Sequence, residues 1–590
     1  MSNAVKTGYP SIDQPWNEYF KNYDGGKGMD IPNKTIYEFV KECNADYLDG
    51  YALDFFGHKI TYREFFERIE EVAKAMDATG IQPGEIVNIV TVNCVEEYET
   101  MYALNRVGAV FDFISCLADH KALVHYFEDS KAKRIFVLDL FAEKVMSAAK
   151  EAGYVEEIIV FDLADEMPVL TKIGYGLKTR KMDKSFYKDN LVTPWRDFMK
   201  RAQGRKPVLF QKDPNTACAI AHTGGTTGFP KAVVLKDVAF NAVANVYRNY
   251  QPLRKTGDVK DPSYCINTIP PIVVYGYSIG QHMPMCCQAT QAIMPKFEPE
   301  KWPEFFKKYK PAYIVLVPAF MTPMLENPKM DGIDMSNLTI LGCGGDGCTN
   351  AFEADVNKFI KEHGCKTEMV KGYGMTEVGA SACTTYPTGY SKGDVPVNAL
   401  GSVGFPHPCN EFVIWDNENN CECKYDEIGE ICMRCATEMD CYLDNPEETE
   451  AIHKTHPNGK TYIHTGDLGY FNEDGLLFIS GRLKRIILTT FDDIAYKVFP
   501  IVPEEALGMH PAIQHVCVVP MSSDPNNRLK AFVSLKEDNN LDKETIEKEL
   551  REIATNKLNG YECPALYEFR ANLPLTPAGK VDYKALEKQA

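Results

Sequence analysis

AHTGGTTGFPKAVVL runs from Ala221 to Leu235. Thr223, Gly224, Gly225, Thr226, Thr227 and Gly228 make a loop rich in hydroxyls and free backbone N–H groups, able to wrap phosphate oxygens, and Lys231 adds a positive charge. The stretch is not a Walker loop, because Ala232 rather than Ser or Thr follows the lysine. By itself a glycine-rich loop is equally well a structural turn. Upstream, β-rich runs at 85–92, 109–114, 134–139 and 157–162 alternate with helical stretches. That alternation predicts βαβ units and a largely parallel sheet. Two helix starts carry capping boxes, Thr35 with Glu38 and Thr61 with Glu64. In the second helix Phe65, Ile69, Val72, Ala73 and Met76 keep helical spacing up to Gly80.

The bulk numbers bound the function. A chain of 590 residues with 45% apolar and 25% charged residues reads as a globular protein with more than one domain. A net charge of −18 argues against nucleic acid as a partner, since phosphate neutralisation needs a basic face. MSNAVKTGYPSIDQ has no apolar stretch after its charged start, and no apolar run reaches the length of a membrane span. The expectation is a cytoplasmic protein whose 19 cysteines are thiols.

Two segments interrupt the pattern. Between Lys172 and Lys206 stand eleven Lys or Arg against three Asp. This basic segment, about 172–206, reads as a surface insertion. It is either a solvated loop with a helix or, because Tyr175, Leu177, Phe186, Tyr187, Trp195 and Phe198 are interleaved with the charges, a patch for peripheral membrane or partner contact. A second boundary falls at 482–485. Beyond it the chain makes its own elements, with strands at 514–520, 530–536 and 566–571 and a helix near 542–558. The expected fold class is α/β: a large N-terminal domain, 1–481, with mainly parallel sheets flanked by helices, and a small α+β C-terminal domain, 482–590.

The 221–235 stretch is not alone. GYGMTE occupies 372–377, HTGDLGYF 464–471, GRLKRI 481–486 and PLTPAGKVDY 574–583. In order, spacing and wording these motifs resemble the adenylate-forming superfamily of acyl-CoA synthetases, non-ribosomal adenylation domains and luciferases. Within it the wording is nearest to bacterial AMP-forming acyl-CoA ligases. The resemblance runs from KITYRE at Lys59–Glu64 to Lys580. It implies an enzyme that uses ATP and Mg²⁺ to convert a small-molecule carboxylic acid to an acyl-AMP, then passes the acyl group to coenzyme A. It also implies that the small domain is mobile about a hinge at 482–485.

Carried over residue by residue, the resemblance assigns Thr223 to Gly228 and Lys231 to the β- and γ-phosphates. Gly345, Asp346 and Gly347, in CGGDG at 343–347, line the adenine; Tyr373, followed by Gly374, stacks on it. Thr376 touches the α-phosphate and Glu377 holds the magnesium. Asp467 takes both ribose hydroxyls, with Arg482 as a second ribose contact. Lys484 sits at the hinge, and Lys580 reaches the α-phosphate and the acyl carboxylate. These residue types suit the chemistry. Attack of a carboxylate on the α-phosphorus brings two anions together, and lysine, magnesium, hydroxyls and N–H groups spread that charge. A carboxylate such as Glu377 suits a hard cation, and Asp467 can accept two hydrogen bonds from a cis-diol.

The wording departs from the pattern at several places. Ala232 replaces a common Gly, Gly224 a common Ser, and Val273 a His near the acyl pocket. The largest departure is LKRIILTTFDDIAYKVFP at 483–500, which lacks the glycine where the pantetheine thiol passes and carries a short insertion before KVFP. This keeps open a rival acceptor, a carrier-protein phosphopantetheine, and adenylate formation alone. A non-catalytic nucleotide-binding regulator is the rival of another class; intact Lys231, Glu377, Asp467, Arg482 and Lys580 argue against it. Cys421, Cys423, Cys432, Cys435 and Cys441 show C-x-C and C-x2-C spacings that suit zinc, but small buried thiols are the preferred reading. Gly276, Gly280, Gly342 and Gly379 are expected to leave room for a bulky acyl group, and Val273, Val274, Ile279 and Met283 favour an apolar one.

Overall fold

The computed structural model describes residues 6–24, 29–179, 183–223, 230–251, 261–388, 397–521, 523–536, 539, 541–574 and 581–590. The alternation read from the sequence becomes parallel sheet. Runs such as Ile86–Val90 (IVNIV), Arg134–Leu138 (RIFVL) and Tyr313–Leu316 (YIVL) are almost wholly buried, as strands covered by helices on both faces must be.

Among the described residues one sheet has eight strands, in the order Cys441–Tyr442, Ala232–Lys236, Ala217–His222, Val110–Phe113, Ile86–Val90, Arg134–Leu138, Glu157–Phe161 and Val192–Pro194. Its pairs are parallel from Ala217–His222 to Val192–Pro194 and antiparallel beyond. A second sheet of nine strands has a parallel centre: Val370–Tyr373, Ile340–Cys343, Tyr313–Leu316, Tyr264–Asn267, Thr290–Ile293 and Tyr51–Phe55. Antiparallel strands close both edges. A third sheet, built on Asn410–Asp416, Gly429–Cys435, Thr461–Phe471 and Leu477–Arg482, is antiparallel.

Helices cover the first two sheets. Both expected capping boxes form, at Thr35 with Glu38 and Thr61 with Glu64. Tyr62–Thr79 turns Phe65, Ile69, Val72, Ala73 and Met76 into the main core and ends on Gly80 at φ +83. The small C-terminal domain has its own core. Strands Ile513–Pro520, Leu529–Leu535 and Leu566–Arg570 form its sheet. Helix Lys543–Lys557, capped by Asp542, buries Ile546, Leu550 and Ala554 in that core. The fold is therefore α/β, a large domain of mainly parallel sheets with helices plus a smaller C-terminal domain.

Two local expectations need correction. The basic segment 172–206 is not one insertion. Its second half belongs to the sheet: Val192–Pro194 pairs in parallel with Glu157–Phe161, and Phe186 and Phe198 are buried. The aromatics interleaved with the charges are thus largely core contacts, and among the described residues Lys172, Lys184, Lys188, Arg196 and Lys200 are exposed between them. The glycines read as pocket space are partly packing requirements. A Cβ on Gly276 would lie 2.3 Å from the Pro270 carbonyl oxygen, and one on Gly280 2.4 Å from the Asn267 amide.

Finally, the glycine-free stretch after the hinge is a β-hairpin. Ile487–Phe491 pairs with Ile494–Val498 across Asp492 and Asp493, which take φ +48 and +62. A two-residue turn with both central residues left-handed matches the twist of a hairpin, and aspartate tolerates that region better than most residues. Asp492 and Asp493 thus close a turn.

Candidate active site

The strands Ala217–His222 and Ala232–Lys236 run antiparallel and present the 223–231 loop at one end. The Thr223 N–H donates to the Lys231 carbonyl at 3.0 Å, and the Lys231 N–H donates to Thr223 Oγ1 at 3.1 Å. These bonds close the base of the loop. Gly224, Gly225, Thr226, Thr227 and Gly228 lie outside the described residues, as does Lys580.

Lys231 Nζ meets Glu448 Oε2 at 2.6 Å and lies 4.6 Å from the centre of the Tyr442 ring. Tyr442 is placed by pairing with Val233 in the neighbouring strand. Its hydroxyl donates to Glu377 Oε1 at 2.6 Å. Burial and the Glu377 charge hold that phenol well above its ordinary pKa, so it remains a donor. Glu377 is buried, and Thr376 beside it is half-buried in a short turn of 3₁₀ helix that ends on Gly379 at φ +69. A buried carboxylate holding a single hydroxyl donor on Oε1 is an oxygen ligand of the kind a magnesium ion accepts.

The same segment leads to a second group. Tyr373 ends the strand Val370–Tyr373, and its hydroxyl donates to Asp467 Oδ2 at 2.9 Å. Arg482 Nε reaches the other oxygen, Asp467 Oδ1, at 2.9 Å. Asp467 and Arg482 face each other in the register of Thr461–Phe471 and Leu477–Arg482, so sheet pairing sets their contact. Burial and the Asp467 charge push the Tyr373 hydroxyl upward. Gly374 has no space for a side chain: a Cβ would lie 2.1 Å from the Ala380 carbonyl oxygen. Ile340–Cys343 pairs in parallel with Val370–Tyr373, so Gly345, Asp346 and Gly347 emerge at the same strand ends as Tyr373. All three are exposed, with Gly345 at φ +78 and the Gly347 N–H donating to Asp346 Oδ1 at 2.9 Å. Ligands of α/β sheets bind outside such carboxyl ends.

The chain then passes through Leu483–Arg485. Arg482 is tied to Asp467 of the large domain, whereas Arg485 is tied to Glu504 at 2.6 Å and lies 4.8 Å from the Tyr583 ring, both in the small domain. Lys484, between these anchors, is exposed. It acts together with Lys231 on Glu448, whose carboxyl is held below its ordinary range, chiefly by the bond to Lys231. Tyr442 and Glu448 were not singled out from the sequence. Their partners Glu377 and Lys231 are 65 and 217 residues away, and no local spacing signals such contacts. We expect Tyr442→Phe, which leaves a buried carboxylate oxygen without its donor, to lower kcat/KM for adenylate formation about five- to tenfold. Unchanged kinetics would show that the hydroxyl does not position Glu377.

The cysteines at 421–441 do not converge. Cys423, Cys432 and Cys435 are buried, Cys421 is exposed and Cys441 is half-buried. Cys432 instead lies beside His456 and His464, with ligand atoms within 4.8 Å of one another. Each group already has a partner. His464 Nδ1 bonds Glu430 Oε2 at 2.7 Å, and His456 Nε2 bonds His464 Nε2 at 2.9 Å. Burial, with His464 alongside, pushes His456 down to about 4, so it is neutral. Two nitrogens on a tetrahedral zinc lie about 3.3 Å apart, whereas 2.9 Å is a hydrogen-bond distance. Metal analysis of protein purified without added zinc is expected to find well under one equivalent; a stoichiometric, chelator-resistant ion would overturn this reading.

The AMP-binding enzyme family profile matches residues 40–443, and the profile of the AMP-binding enzyme C-terminal domain matches 503–580. The chain belongs to the AMP-binding enzyme family. Among relatives of this AMP-binding enzyme, a long-chain-fatty-acid–CoA ligase of Bacillus subtilis (strain 168) is 28% identical over 572 residues, covering 96% of each chain. A long-chain-fatty-acid–CoA ligase of Escherichia coli O157:H7 is 24% identical over 570 residues, covering 94% of this chain and 95% of that one. In fold it is similar to the anthranilate CoA ligase AuaEII in complex with anthranoyl-AMP, at a TM-score of 0.77 and 19% identity, covering 95% of this chain and 98% of that one. The fold is that of adenylate-forming enzymes.

Proposed function

We propose that this AMP-binding enzyme is an ATP-dependent, AMP-forming acid–thiol ligase whose acid is a medium- or long-chain fatty acid or a similar apolar carboxylate and whose acceptor is coenzyme A. The observation that carries the reading is the continuity of one site. Lys231, Tyr442 and Glu377 meet beside the phosphate-loop base, Tyr373, Asp467 and Arg482 meet at neighbouring strand ends, and the 372–377 segment joins the two groups. The named activity of the Bacillus subtilis relative supports the choice of acid.

In the first half-reaction the acid's carboxylate oxygen bonds to the α-phosphorus of ATP and pyrophosphate leaves. Asp467 accepts the ribose hydroxyls, Tyr373 stacks on the adenine, with Gly345, Asp346 and Gly347 along its edge, and Thr376 meets the α-phosphate. Thr223 to Gly228 and Lys231 take the β- and γ-phosphates. Glu377 would hold magnesium, which supplies charge neutralisation on the phosphates. In the second half-reaction a thiol sulfur bonds to the acyl carbon and AMP leaves. The opposed anchors of Arg482 and Arg485 support a hinge at 482–485 about which a mobile small domain, 482–590, turns relative to 1–481.

ATP–pyrophosphate exchange with a panel of acids tests the first half. Exchange is expected to be fastest with a medium- or long-chain acid, because an amino acid would need a buried charge partner for its ammonium group; faster exchange with acetate or an amino acid would sink the assignment. The hairpin after the hinge supports a second reading of the acceptor. It exposes Leu488 and, on either side of the Asp492–Asp493 turn, Phe491 and Ile494, apolar side chains that a carrier protein would cover. Thioester formed with coenzyme A at a rate matching acyl-AMP formation favours the first reading; acyl-AMP that accumulates until a phosphopantetheinyl carrier is added favours the second.

A further inference from the structure

The helix Val169–Thr179 presents an uncovered apolar ridge. Its inner side is Thr171, Tyr175 and Thr179, and Tyr175 packs against the main core. Its outer side carries Val169, Leu170, Ile173 and Leu177, exposed to 74, 84, 58 and 70%. At 100° per residue these four fall within an arc of about 100°, opposite Tyr175. Lys172 stands at one border of the arc and Lys178 occupies the register position at the other. Nothing lies within 4 Å of where side chains on Gly174 and Gly176 would begin, so no other part of the described chain covers this side.

We propose that this ridge docks the protein on the surface of a bilayer containing anionic lipid. Charge supports that occupant. The chain carries −18 overall, yet from Lys172 to Lys184, along and just after this helix, five basic residues stand against one acidic, with Lys172 paired to Asp165 and Lys184 to Asp162; this local excess favours an anionic surface. Four aliphatic side chains bordered by lysines form the pattern of a helix lying in the interface plane, its apolar side among the acyl chains and its lysines at the phosphates. No helix among the described residues is long and apolar enough to cross a membrane, so the contact is peripheral. A second copy of the chain fits less well: a convex ridge about 16 Å long does not supply the roughly 800 Å² per partner of a stable interface. The inference stands on this surface alone and does not depend on which acid is activated.

The test is flotation of the full-length protein with vesicles of phosphatidylcholine alone and of phosphatidylcholine with about one-third phosphatidylglycerol. The unmodified protein is expected to float with the anionic vesicles and to be released by raised salt. Leu170→Ser/Ile173→Ser/Leu177→Ser is expected to lose on the order of tenfold in partitioning, and Lys172→Glu/Lys178→Glu to lose the preference for anionic lipid. Both variants should keep the thermal stability of the parent and its pyrophosphate exchange with a soluble acid. The proposal is overturned if the unmodified protein stays down with anionic vesicles, or if the serine variant floats as the parent does. It is also overturned if the parent self-associates through the ridge without binding either vesicle, which would assign the surface to a second copy.

Discussion

Lys580→Ala is expected to slow acyl-AMP formation by about 10²–10³-fold, the usual loss when one charge contact made mainly in the transition state is removed. The carboxylate and the α-phosphate repel each other most as the new bond forms, and a lysine shared by both is worth most at that point. Lys580 lies outside the described residues, but the segment carrying it is held at both ends. Pro574 accepts a hydrogen bond from the Asp582 N–H at 2.8 Å, and Leu573, Val581 and Tyr583 pack with Cys517, Val519 and Phe532 of the small domain. In the proposed mechanism a lysine carried between these anchors acts on the large domain only when the two domains close on each other. If the domain turns between half-reactions, transfer from synthetic acyl-AMP to coenzyme A should keep most of its rate in this variant. Lys484→Pro, which restricts the backbone torsion a hinge must change, should instead slow one half-reaction far more than the other. Equal slowing of both half-reactions by Lys580→Ala would rule out domain alternation.

Asp467→Asn is expected to lower kcat/KM for ATP roughly 10- to 100-fold, the worth of charge-assisted hydrogen bonds. The carboxylate is buried, and its two oxygens take the Tyr373 hydroxyl and the Arg482 guanidinium at 2.9 Å each. The amide keeps the shape but turns one acceptor into a donor facing Arg482 and removes the charge that both partners address. A rate loss alone would not separate ribose binding from local rearrangement, so the nucleotide is varied as well. The parent should discriminate strongly between ATP and 2′,3′-dideoxy-ATP, and the variant weakly. If the variant loses activity yet discriminates as well as the parent, Asp467 is a structural partner of Tyr373 and Arg482 and not the ribose acceptor.

What could be read from the chain alone was what neighbours along the sequence decide. The capping boxes at Thr35 and Thr61, the spacing of Phe65 to Met76 and the β-rich runs at 85–92 and 134–139 are local, and each formed, the last two as the strands Ile86–Val90 and Arg134–Leu138. The motifs at 221–235, 372–377, 464–471, 481–486 and 574–583 named the family through residue types whose chemistry constrains them. Which of these side chains meet was decided by the tertiary structure. The Asp467–Arg482 contact exists because two antiparallel strands pair in one register, and Tyr442 reaches Glu377 because a two-residue strand adds to Ala232–Lys236. The same holds for the corrections. Gly276 and Gly280 look like pocket space until the Pro270 carbonyl and the Asn267 amide are placed against them. The basic segment looks like one surface insertion until Val192–Pro194 joins the sheet and Phe198 enters the core, while the helix Val169–Thr179 keeps an apolar side outward. Periodicity tells that a residue has an apolar face; only the packed chain decides whether anything covers it.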